Sequence, residues 1–262
     1  MLLLGKQFFD THCHLQHETY DQDLQQVLSH CQEAQVDYMT VVGWDYPSTL
    51  QAVSLAQQYP GRIFAAVGVH PQDCLTWNAE IAADLFALAQ KPCVVAIGEI
   101  GLDYYRDPSP KEVQAQVFIE QIHMAKELQK PIIIHSRDAH GPLFDIVKKE
   151  AAAQFGGIMH CYSGSVEMAR QLLSSGWTIS LAGPLTFKNA RQLPEVVNFV
   201  PLDRLLIETD SPYMSPEPLR GKRNDPSRVT YIAGKIAEIK GVSLEEVANI
   251  TTQNAKQIFH IV

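Results

Sequence analysis

Cysteine pairs and long apolar runs are scarce in this sequence, and each absence excludes a class of protein. The chain has five cysteines among 262 residues and no CxxC pair, so neither a disulfide framework nor a zinc ribbon is expected. Its first apolar stretch, Met1-Leu2-Leu3-Leu4, is too short for a signal peptide or a membrane span. No later apolar run is as long as a membrane span. Scattered thiols without a span predict a cytoplasmic protein that makes no membrane contact.

Positive charge is also in short supply. The chain carries 21 Lys and Arg against 29 Asp and Glu, a formal net charge of −8. Such a balance provides no bulk positive field that would attract nucleic acid. Any anionic substrate must therefore be bound by a local positive site. Apolar residues at 46% and charged residues at 19% are typical of a globular chain rather than a disordered one.

Eight apolar runs of strand length alternate with helix-like stretches. The runs are almost continuously apolar, which is typical of parallel strands covered on both faces. The predicted strands are Gln7–Asp10, Tyr38–Gly43, Ile63–His70, Val94–Gly101, Ile132–Ser136, Ile158–Ser163, Thr178–Gly183 and Leu205–Asp210. The predicted helices are Asp21–Gln35, Pro47–Tyr59, Asn78–Gln90, Ser109–Gln129, Pro142–Phe155, Ser165–Ser175, Asn189–Phe199, Pro226–Ile239 and Leu244–Phe259.

Two helix starts and one long loop carry local signals. Asn78 is the predicted N-cap of the third helix. The segment Ser109-Pro110-Lys111-Glu112 predicts a capping box with proline at the first helical position. The loop Ser211–Asn224 is the longest unpatterned segment and contains three prolines, so its length marks it as a candidate functional loop.

Eight β-then-α units predict a single domain over residues 1–262 with an α/β fold, the (β/α)8 TIM barrel. Such barrels typically need about 250 residues, which this chain supplies. The alternative is an open doubly wound sheet, which would place a glycine-rich phosphate loop after the first strand. Two histidines stand there instead. No internal repeat or linker indicates a second domain.

The first apolar run leads into two histidines that are two residues apart. Side chains at positions i and i+2 of a strand point to the same side, so His12 and His14 are expected to aim at one point, with Cys13 facing away. Neutral imidazole is a good ligand for Zn, Mn, Fe or Ni. The pair therefore predicts one half of a metal site.

Later runs also end in groups that can bind a metal. Parallel barrel strands deliver their carboxyl ends to one rim, so these groups are expected to converge. A lone histidine at a strand end is usually a hydrogen-bonded rim residue, but the repetition at the same end of several runs favours a metal site. With His12 and His14, the predicted ligands are Glu99, His135, His160 and Asp210.

Six protein ligands exceed the number that one four-coordinate catalytic zinc takes. They suit two divalent cations that share a bridging carboxylate and a bridging water, with Glu99 on the fourth strand as the bridge. The two cations would give the pocket a net positive charge, which favours the binding of an anion such as a phosphodiester. Asp210 and Glu99 are the predicted catalytic residues, with Asp210 orienting or deprotonating the water. The metal is left as Zn, Mn or Mg.

Several polar residues near these ligands are candidate substrate contacts. The predicted contacts are His70, Arg137, Arg220, Lys222 and Arg223. Arg220, Lys222 and Arg223 lie after the eighth strand, where barrels often bind phosphate, although a solvated basic loop is the common alternative. Tyr104, Tyr105 and Tyr213 either stack on bases or pack at the rim, and packing is the default. Glu208 is a candidate support for Asp210, and Asp103 is assigned to a loop.

Eight segments, spread in order over nearly the whole chain, match one family. They are Phe9-Asp10-Thr11-His12-Cys13-His14-Leu15, Gly68-Val69-His70-Pro71, Gly98-Glu99-Ile100-Gly101-Leu102-Asp103-Tyr104-Tyr105, His135-Ser136-Arg137-Asp138-Ala139, His160-Cys161-Tyr162-Ser163-Gly164, Glu208-Thr209-Asp210-Ser211-Pro212-Tyr213, Arg220-Gly221-Lys222-Arg223-Asn224 and Thr252-Gln253-Asn254-Ala255. The chain resembles the TatD-type metal-dependent hydrolases of the amidohydrolase-like superfamily.

The resemblance implies a (β/α)8 barrel with two divalent metals. One metal would be held by His12, His14, Glu99 and Asp210, and the other by Glu99, His135 and His160. The family is described as deoxyribonucleases, some of which remove nucleotides from a 3′ end of single strands. The expected substrate is therefore DNA in single-stranded form, with no obligate protein partner.

Two other classes of function are open at this stage. A hydrolase with the same metals could act on an amide, an ester or an aminoacyl ester; many amidohydrolase barrels carry a carboxylated lysine on the fourth strand, where Glu99 stands here. A non-catalytic binding module on an old barrel is the third interpretation, and the complete ligand set argues against it.

Overall fold

Eight strands are present in a computed structural model that describes residues 6–106 and 108–261. They are β1 (Phe8–Cys13), β2 (Val36–Val42), β3 (Ile63–Val67), β4 (Val94–Asp103), β5 (Ile132–Arg137), β6 (Gly157–Met159), β7 (Trp177–Leu181) and β8 (Leu205–Ile207). They belong to one sheet whose strand order follows the chain from β1 to β8. The segment Met1-Leu2-Leu3-Leu4 lies outside the described residues.

The strand order decides between the two predicted folds. Strands that are neighbours in sequence pair in parallel, as shown by β3 with β4, β4 with β5, β5 with β6 and β7 with β8. An open doubly wound sheet would instead reverse its order at a switch point. The prediction of a (β/α)8 TIM barrel is confirmed.

Helices lie between successive strands, close to where the apolar periodicity predicts them. They are α1 (Leu24–Glu33), α2 (Tyr46–Gln58), α3 (Ala79–Ala89), α4 (Lys111–Glu127), α5 (His140–Lys149), α6 (Val166–Ser174), α7 (Gln192–Phe199), α8 (Val229–Lys240) and α9 (Leu244–Ile258). A short 3-10 helix, Pro71–Thr76, follows β3. Within residues 6–106 and 108–261, no helix has both the length and the apolar character needed to cross a membrane.

The two predicted helix starts have different outcomes. Asn78 is the N-cap of α3, and its side chain accepts hydrogen bonds from the backbone N–H groups of Glu80 and Ile81. The capping box at Ser109 is wrong, because α4 begins at Lys111 and Pro110 occupies the cap position without a side-chain bond. The buried Ser109 hydroxyl donates instead to the carbonyl of Gln72, 3.0 Å away.

Removing the Asn78 cap should destabilise the protein. Asn78→Ala leaves two backbone N–H groups of α3 without their acceptor, and we expect a loss of about 1 kcal/mol in the free energy of unfolding. Urea denaturation followed by circular dichroism measures it. Asn78→Ser should recover most of the loss, and Asn198→Ala on the exposed face of α7 should cause none. Equal stability of Asn78→Ala and wild type would mean that this cap contributes nothing.

The described residues divide into two compact units. Unit 1 takes in residues 6–40, 161–174 and 178–261, and unit 2 takes in residues 41–106, 108–160 and 175–177. In unit 1 the Phe9 ring packs against Tyr38 and Phe259, with centroids 5.5 and 5.7 Å apart. In unit 2 the fully buried side chains include Ile97 and Phe118. The single-domain prediction for residues 1–262 stays a prediction.

An irregularity in β4 determines where its polar side chain points. Ile97 pairs with Ile132 and Ile100 with Ile134, so two residues of β4, Gly98 and Glu99, stand opposite one residue of β5. This is a β-bulge, a device that bends a strand and redirects a side chain. The prediction that β4 ends at Gly101 is wrong by two residues, and Glu99 lies inside the strand instead of at its end.

Gly101 allows β4 and β5 to approach closely beside the bulge. Its φ is +142°, a conformation that side chains disfavour. A Cβ atom at this position would lie 2.1 Å from the carbonyl oxygen of His135. The glycine therefore keeps His135 at its place on the neighbouring strand.

Candidate metal centre

Two imidazoles and a carboxylate converge in unit 1. The Nε2 atoms of His12 and His14 are 3.3 Å apart. The Oδ1 atom of Asp210 lies 3.5 Å from His14 Nε2 and 3.8 Å from His12 Nε2. All three residues are buried. We call this group the unit 1 cluster.

The alternation of β1 explains why the two histidines meet. His12 and His14 share one face of the strand, whereas Cys13 points the other way and donates to the carbonyl of Thr40. Residue 14 lies just beyond the strand, and its backbone N–H donates to the carbonyl of Ser211 at 2.8 Å. The expected convergence of His12 and His14 is present, and their role as metal ligands stays a prediction.

Asp210 is held by contacts that the sequence did not reveal. Strand β8 ends at Ile207, so Asp210 stands in the following loop with φ +54°, and its N–H donates to the carbonyl of His12. Next to it, the buried Asp10 carboxylate accepts from the N–H and the hydroxyl of Thr209. Burial raises the pKa of Asp10, and these hydrogen bonds oppose the rise. Asp10 thus positions the backbone that carries Asp210.

Glu208, two residues before Asp210, is held by hydrogen bonds to both of its carboxylate oxygens. One of its oxygens accepts from the N–H of Cys161 at 2.5 Å, and the other accepts from the Ser180 hydroxyl at 2.7 Å. Both oxygens are therefore engaged in hydrogen bonds within unit 1. These bonds fix the Glu208 carboxylate, and its support of Asp210 stays a prediction.

Unit 2 has a second cluster around Glu99. Its Oε1 atom lies 2.8 Å from His135 Nδ1 and 3.4 Å from His160 Nε2. Glu99 stands at the bulge of β4, His135 lies in the neighbouring β5, and His160 directly follows β6. We call Glu99, His135 and His160 the unit 2 cluster.

His70 lies beside the unit 2 cluster. Its Nδ1 atom accepts from the backbone N–H of Gln72 at 3.1 Å, so a neutral ring carries its proton on Nε2. That Nε2 atom lies 3.7 Å from Glu99 Oε1. The ligand atoms of His70, Glu99 and His135 are close enough to hold a metal, but a protonated Nε2 cannot be a ligand. The role of His70 as a substrate contact stays a prediction.

Asp103 is a functional candidate that the sequence assigned to a loop. It is the last residue of β4, and its Oδ2 atom lies 3.2 Å from His135 Nε2. Burial would lower the pKa of His135, but hydrogen bonds to Asp103 and Glu99 outweigh it and raise that pKa. For Asp103, burial raises the pKa, and the hydrogen bonds from His135, Arg106 and Gln72 lower it further than that. Its spacing of four residues from Glu99 was the available signal, because such positions share a strand face.

The spacing of the donor atoms fits divalent cations. Ligand atoms about 2.0–2.2 Å from a tetrahedral cation lie about 3.3–3.6 Å from one another. The unit 1 cluster has separations of 3.3, 3.5 and 3.8 Å, and the pair His160 and Glu99 in unit 2 has 3.4 Å. Imidazole and carboxylate donors suit Zn or Mn. His135 does not have this spacing, because its Nδ1 atom hydrogen-bonds directly to Glu99. This nitrogen would have to lose its proton before it could bind a cation.

The predicted basic contacts fall into different environments. Arg137 stacks over the Tyr105 ring, and Arg220 stacks over Phe187. Lys222 is exposed, and its carbonyl accepts a hydrogen bond from Ser215.

Arg223 alone among these basic residues has an acidic partner that binds it at two points. Its two terminal nitrogens donate to both oxygens of Asp23, at 3.0 and 2.5 Å, and its guanidinium lies over Tyr20. The acidic partner neutralises the charge of this arginine. Its role as a phosphate ligand stays a prediction.

Comparison with known proteins identifies the family. A family model described as TatD related DNase matches residues 9–260. The chain belongs to the TatD family. It is 49% identical over 253 residues to a Bacillus subtilis (strain 168) protein named uncharacterized metal-dependent hydrolase YabD, covering 97% of this chain and 99% of that protein.

Two further TatD relatives extend the comparison. The chain is 34% identical over 258 residues to the Pectobacterium parmentieri (strain WPP163) protein named 3′-5′ ssDNA/RNA exonuclease TatD, covering 97% and 99% of the two chains. The crystal structure of the TatD homologue YJJV from Escherichia coli K12 superimposes with a TM-score of 0.90 at 29% identity, covering 97% and 98%. The prediction of a TatD-type metal-dependent hydrolase is confirmed.

Proposed function

We propose that this TatD-family chain binds two divalent cations and removes nucleotides from a 3′ end of single-stranded DNA. One cation would be held by the unit 1 cluster and the other by the unit 2 cluster. Glu99 would be a ligand of both cations. This part of the proposal rests on the family resemblance. The observation that carries the proposal is the pair of imidazole–carboxylate clusters in a chain matched by a TatD related DNase model.

Local charge makes a nucleic-acid substrate compatible with an acidic protein. Two divalent cations carry four positive charges, whereas Glu99 and Asp210 remove two. The site would thus be positive although the chain has a formal net charge of −8. The exposed Arg137 adds a further positive charge beside the unit 2 cluster.

The residues of the chain divide the work of phosphodiester hydrolysis. When bound, the cations would acidify the attacking water and neutralise the phosphate oxygens. Asp210 would accept the proton of that water, because its carboxylate is held beside His12 and His14. His70 would donate a hydrogen bond from its Nε2–H group to a phosphate oxygen, and Asp103 would hold the far nitrogen of His135.

The names of two relatives support the proposed substrate, and the free thiols of this chain support the proposed compartment. The Pectobacterium relative and one from Erwinia amylovora, 34% identical over 256 residues, are both named 3′-5′ ssDNA/RNA exonuclease TatD, so RNA belongs in any substrate panel. All five cysteines are thiols, three of them buried. We therefore place the reaction in the reducing cytoplasm.

A direct test combines metal analysis with end-labelled substrates. The purified protein is loaded with Mn²⁺, Zn²⁺ or Mg²⁺, and its metal content is measured. Single-stranded and duplex DNA, single-stranded RNA and a panel of amides and esters are then offered. A 5′ label should give a descending ladder of shortened strands, whereas a 3′ label should be released at once as a mononucleotide. Chelation of the metals should stop both.

Histidine variants distinguish a metal-dependent reaction from a contaminant. His135→Ala should lower hydrolysis by at least about a hundredfold, because it removes one proposed ligand. His30→Ala changes an exposed histidine of α1 and should leave the rate unchanged. Hydrolysis of amides or esters with no cleavage of any oligonucleotide would overturn the proposal in favour of the amidohydrolase alternative.

A further inference from the structure

An exposed arginine and an exposed tyrosine form a stacked pair beside the unit 2 cluster. The guanidinium carbon of Arg137 lies 3.9 Å from the centroid of the Tyr105 ring. Arg137 is the last residue of β5 and pairs in register with Asp103, the last residue of β4. The Tyr105 side chain is 60% exposed. An exposed ring of this size offers a face on which a base can stack.

The pair is tied to the cluster by Asp103. One oxygen of this carboxylate accepts from the backbone N–H groups of Tyr105 and Arg106, both at 3.0 Å. The other accepts from Gln72 Nε2 at 2.7 Å and lies 3.2 Å from His135 Nε2. A single carboxylate therefore sets the position of the tyrosine segment and of a proposed metal ligand. The stacked pair is therefore held in a fixed position relative to the unit 2 cluster before any ligand binds.

The surroundings of Arg137 differ from those of two arginines that form ion pairs. Among the described residues, no carboxylate pairs with its guanidinium, whereas Arg223 is bound by Asp23 and Arg228 by Asp225. Stacking on a ring engages the flat face of a guanidinium and leaves its N–H edge for hydrogen bonds. That edge is the part that binds phosphate in a bidentate manner.

We propose that Tyr105 and Arg137 form a nucleotide-binding subsite of the same active site. The N–H edge of Arg137 binds a phosphate of the strand, and the exposed face of Tyr105 stacks on a base next to that phosphate. The subsite rests on the proposed nuclease function and specifies it further. Because every base has a π-face, such a platform accepts all four bases but requires that a base be present.

Binding and hydrolysis measured on the metal-loaded full chain test the subsite. Fluorescence anisotropy with a labelled strand that carries phosphorothioate linkages at its 3′ end measures binding while hydrolysis is slow. Tyr105→Leu should weaken binding about tenfold and raise KM by a similar factor, with kcat within about twofold. The same variant should bind a strand with abasic 3′ positions as well as the wild type does.

Salt dependence isolates the phosphate contact of Arg137. Arg137→Ala should reduce the slope of log affinity against log salt by about 0.7, the value for one phosphate contact on a single strand. Arg137→Lys should keep the slope, because its charge remains, and lose part of the affinity with the planar stack. Arg170→Ala is the matched control, since Arg170 stacks over Phe199 at 4.4 Å on α6, and it should change neither quantity.

The failure of this inference and the failure of the proposed function give different results. Wild-type protein that cleaves no oligonucleotide overturns the function and the subsite together. Wild-type protein that cleaves single strands, with Tyr105→Leu and Arg137→Ala showing unchanged KM and salt slope, overturns the subsite alone. A loss of affinity for Tyr105→Leu that is equal on normal and abasic strands also excludes base stacking.

Discussion

Glu99→Gln should lower hydrolysis by about a thousandfold and reduce the bound metal. The Glu99 carboxylate has one oxygen within 2.8 to 3.7 Å of His135, His160 and His70, so it is the group on which the unit 2 cluster converges. The amide keeps the size of the side chain but removes the negative charge that a cation requires. Single-turnover assays with labelled strands, together with elemental analysis of the protein, measure both effects.

The control for Glu99 is a carboxylate of the same unit with no place in the cluster. Glu127→Gln changes an exposed residue at the end of α4 and should leave activity and metal content unaltered. Thermal unfolding of both variants verifies that the fold is intact. If Glu99→Gln kept its full metal content and wild-type kcat, the unit 2 cluster could not be part of the active site.

Asp210→Asn should lower kcat by about a thousandfold even when the metals are saturating. The residue is proposed both as a ligand and as the base that accepts a proton from water, and a positioned base contributes about 10²–10⁴-fold. Asparagine retains an oxygen that can approach His12 and His14 but cannot accept the proton. Titration with Mn²⁺ should therefore restore metal content without restoring kcat.

Metal titration separates the two roles of Asp210. Full recovery of kcat at high metal concentration would show that this residue acts as a ligand only. Asp203→Asn, an exposed carboxylate in the short helix before β8, should behave as wild type throughout. Asp10→Asn is informative beside it, because Asp10 holds Thr209 by two hydrogen bonds. A fall in kcat in that variant would come from misplacement of Asp210.

The periodic features of the chain were predictable, and the bulge was not. Continuous apolar runs predicted the parallel strands correctly, because a strand that is buried on both faces needs apolar residues at nearly every position. The end of β4 was placed two residues early, since the sequence pattern does not show that Gly98 and Glu99 stand opposite a single residue of β5. A bulge depends on how two strands pair, which local sequence does not encode.

The capping box at Ser109 failed for a related reason. The residues Ser109 and Glu112 fit the local pattern of a capping box. The Ser109 hydroxyl instead donates a hydrogen bond to the carbonyl of Gln72, 37 positions earlier in the chain. A hydrogen bond to a distant segment outweighs a local cap when the residue is buried. Asn78 is exposed, and its predicted cap is present.

The amino-acid sequence by itself determined the barrel, and it predicted a set of groups that can bind metal. Alternating orientation on a strand is enough to bring His12 and His14 together, and the order of β-then-α units is enough to predict the topology. Only the tertiary structure decided which partners each group has. It showed that Asp103 supports His135, that Asp10 supports the loop of Asp210, and that Asp23 neutralises Arg223. The physical reason is that ligands recur with the period of a strand, whereas hydrogen bonds between segments far apart in the chain depend on how those segments pack.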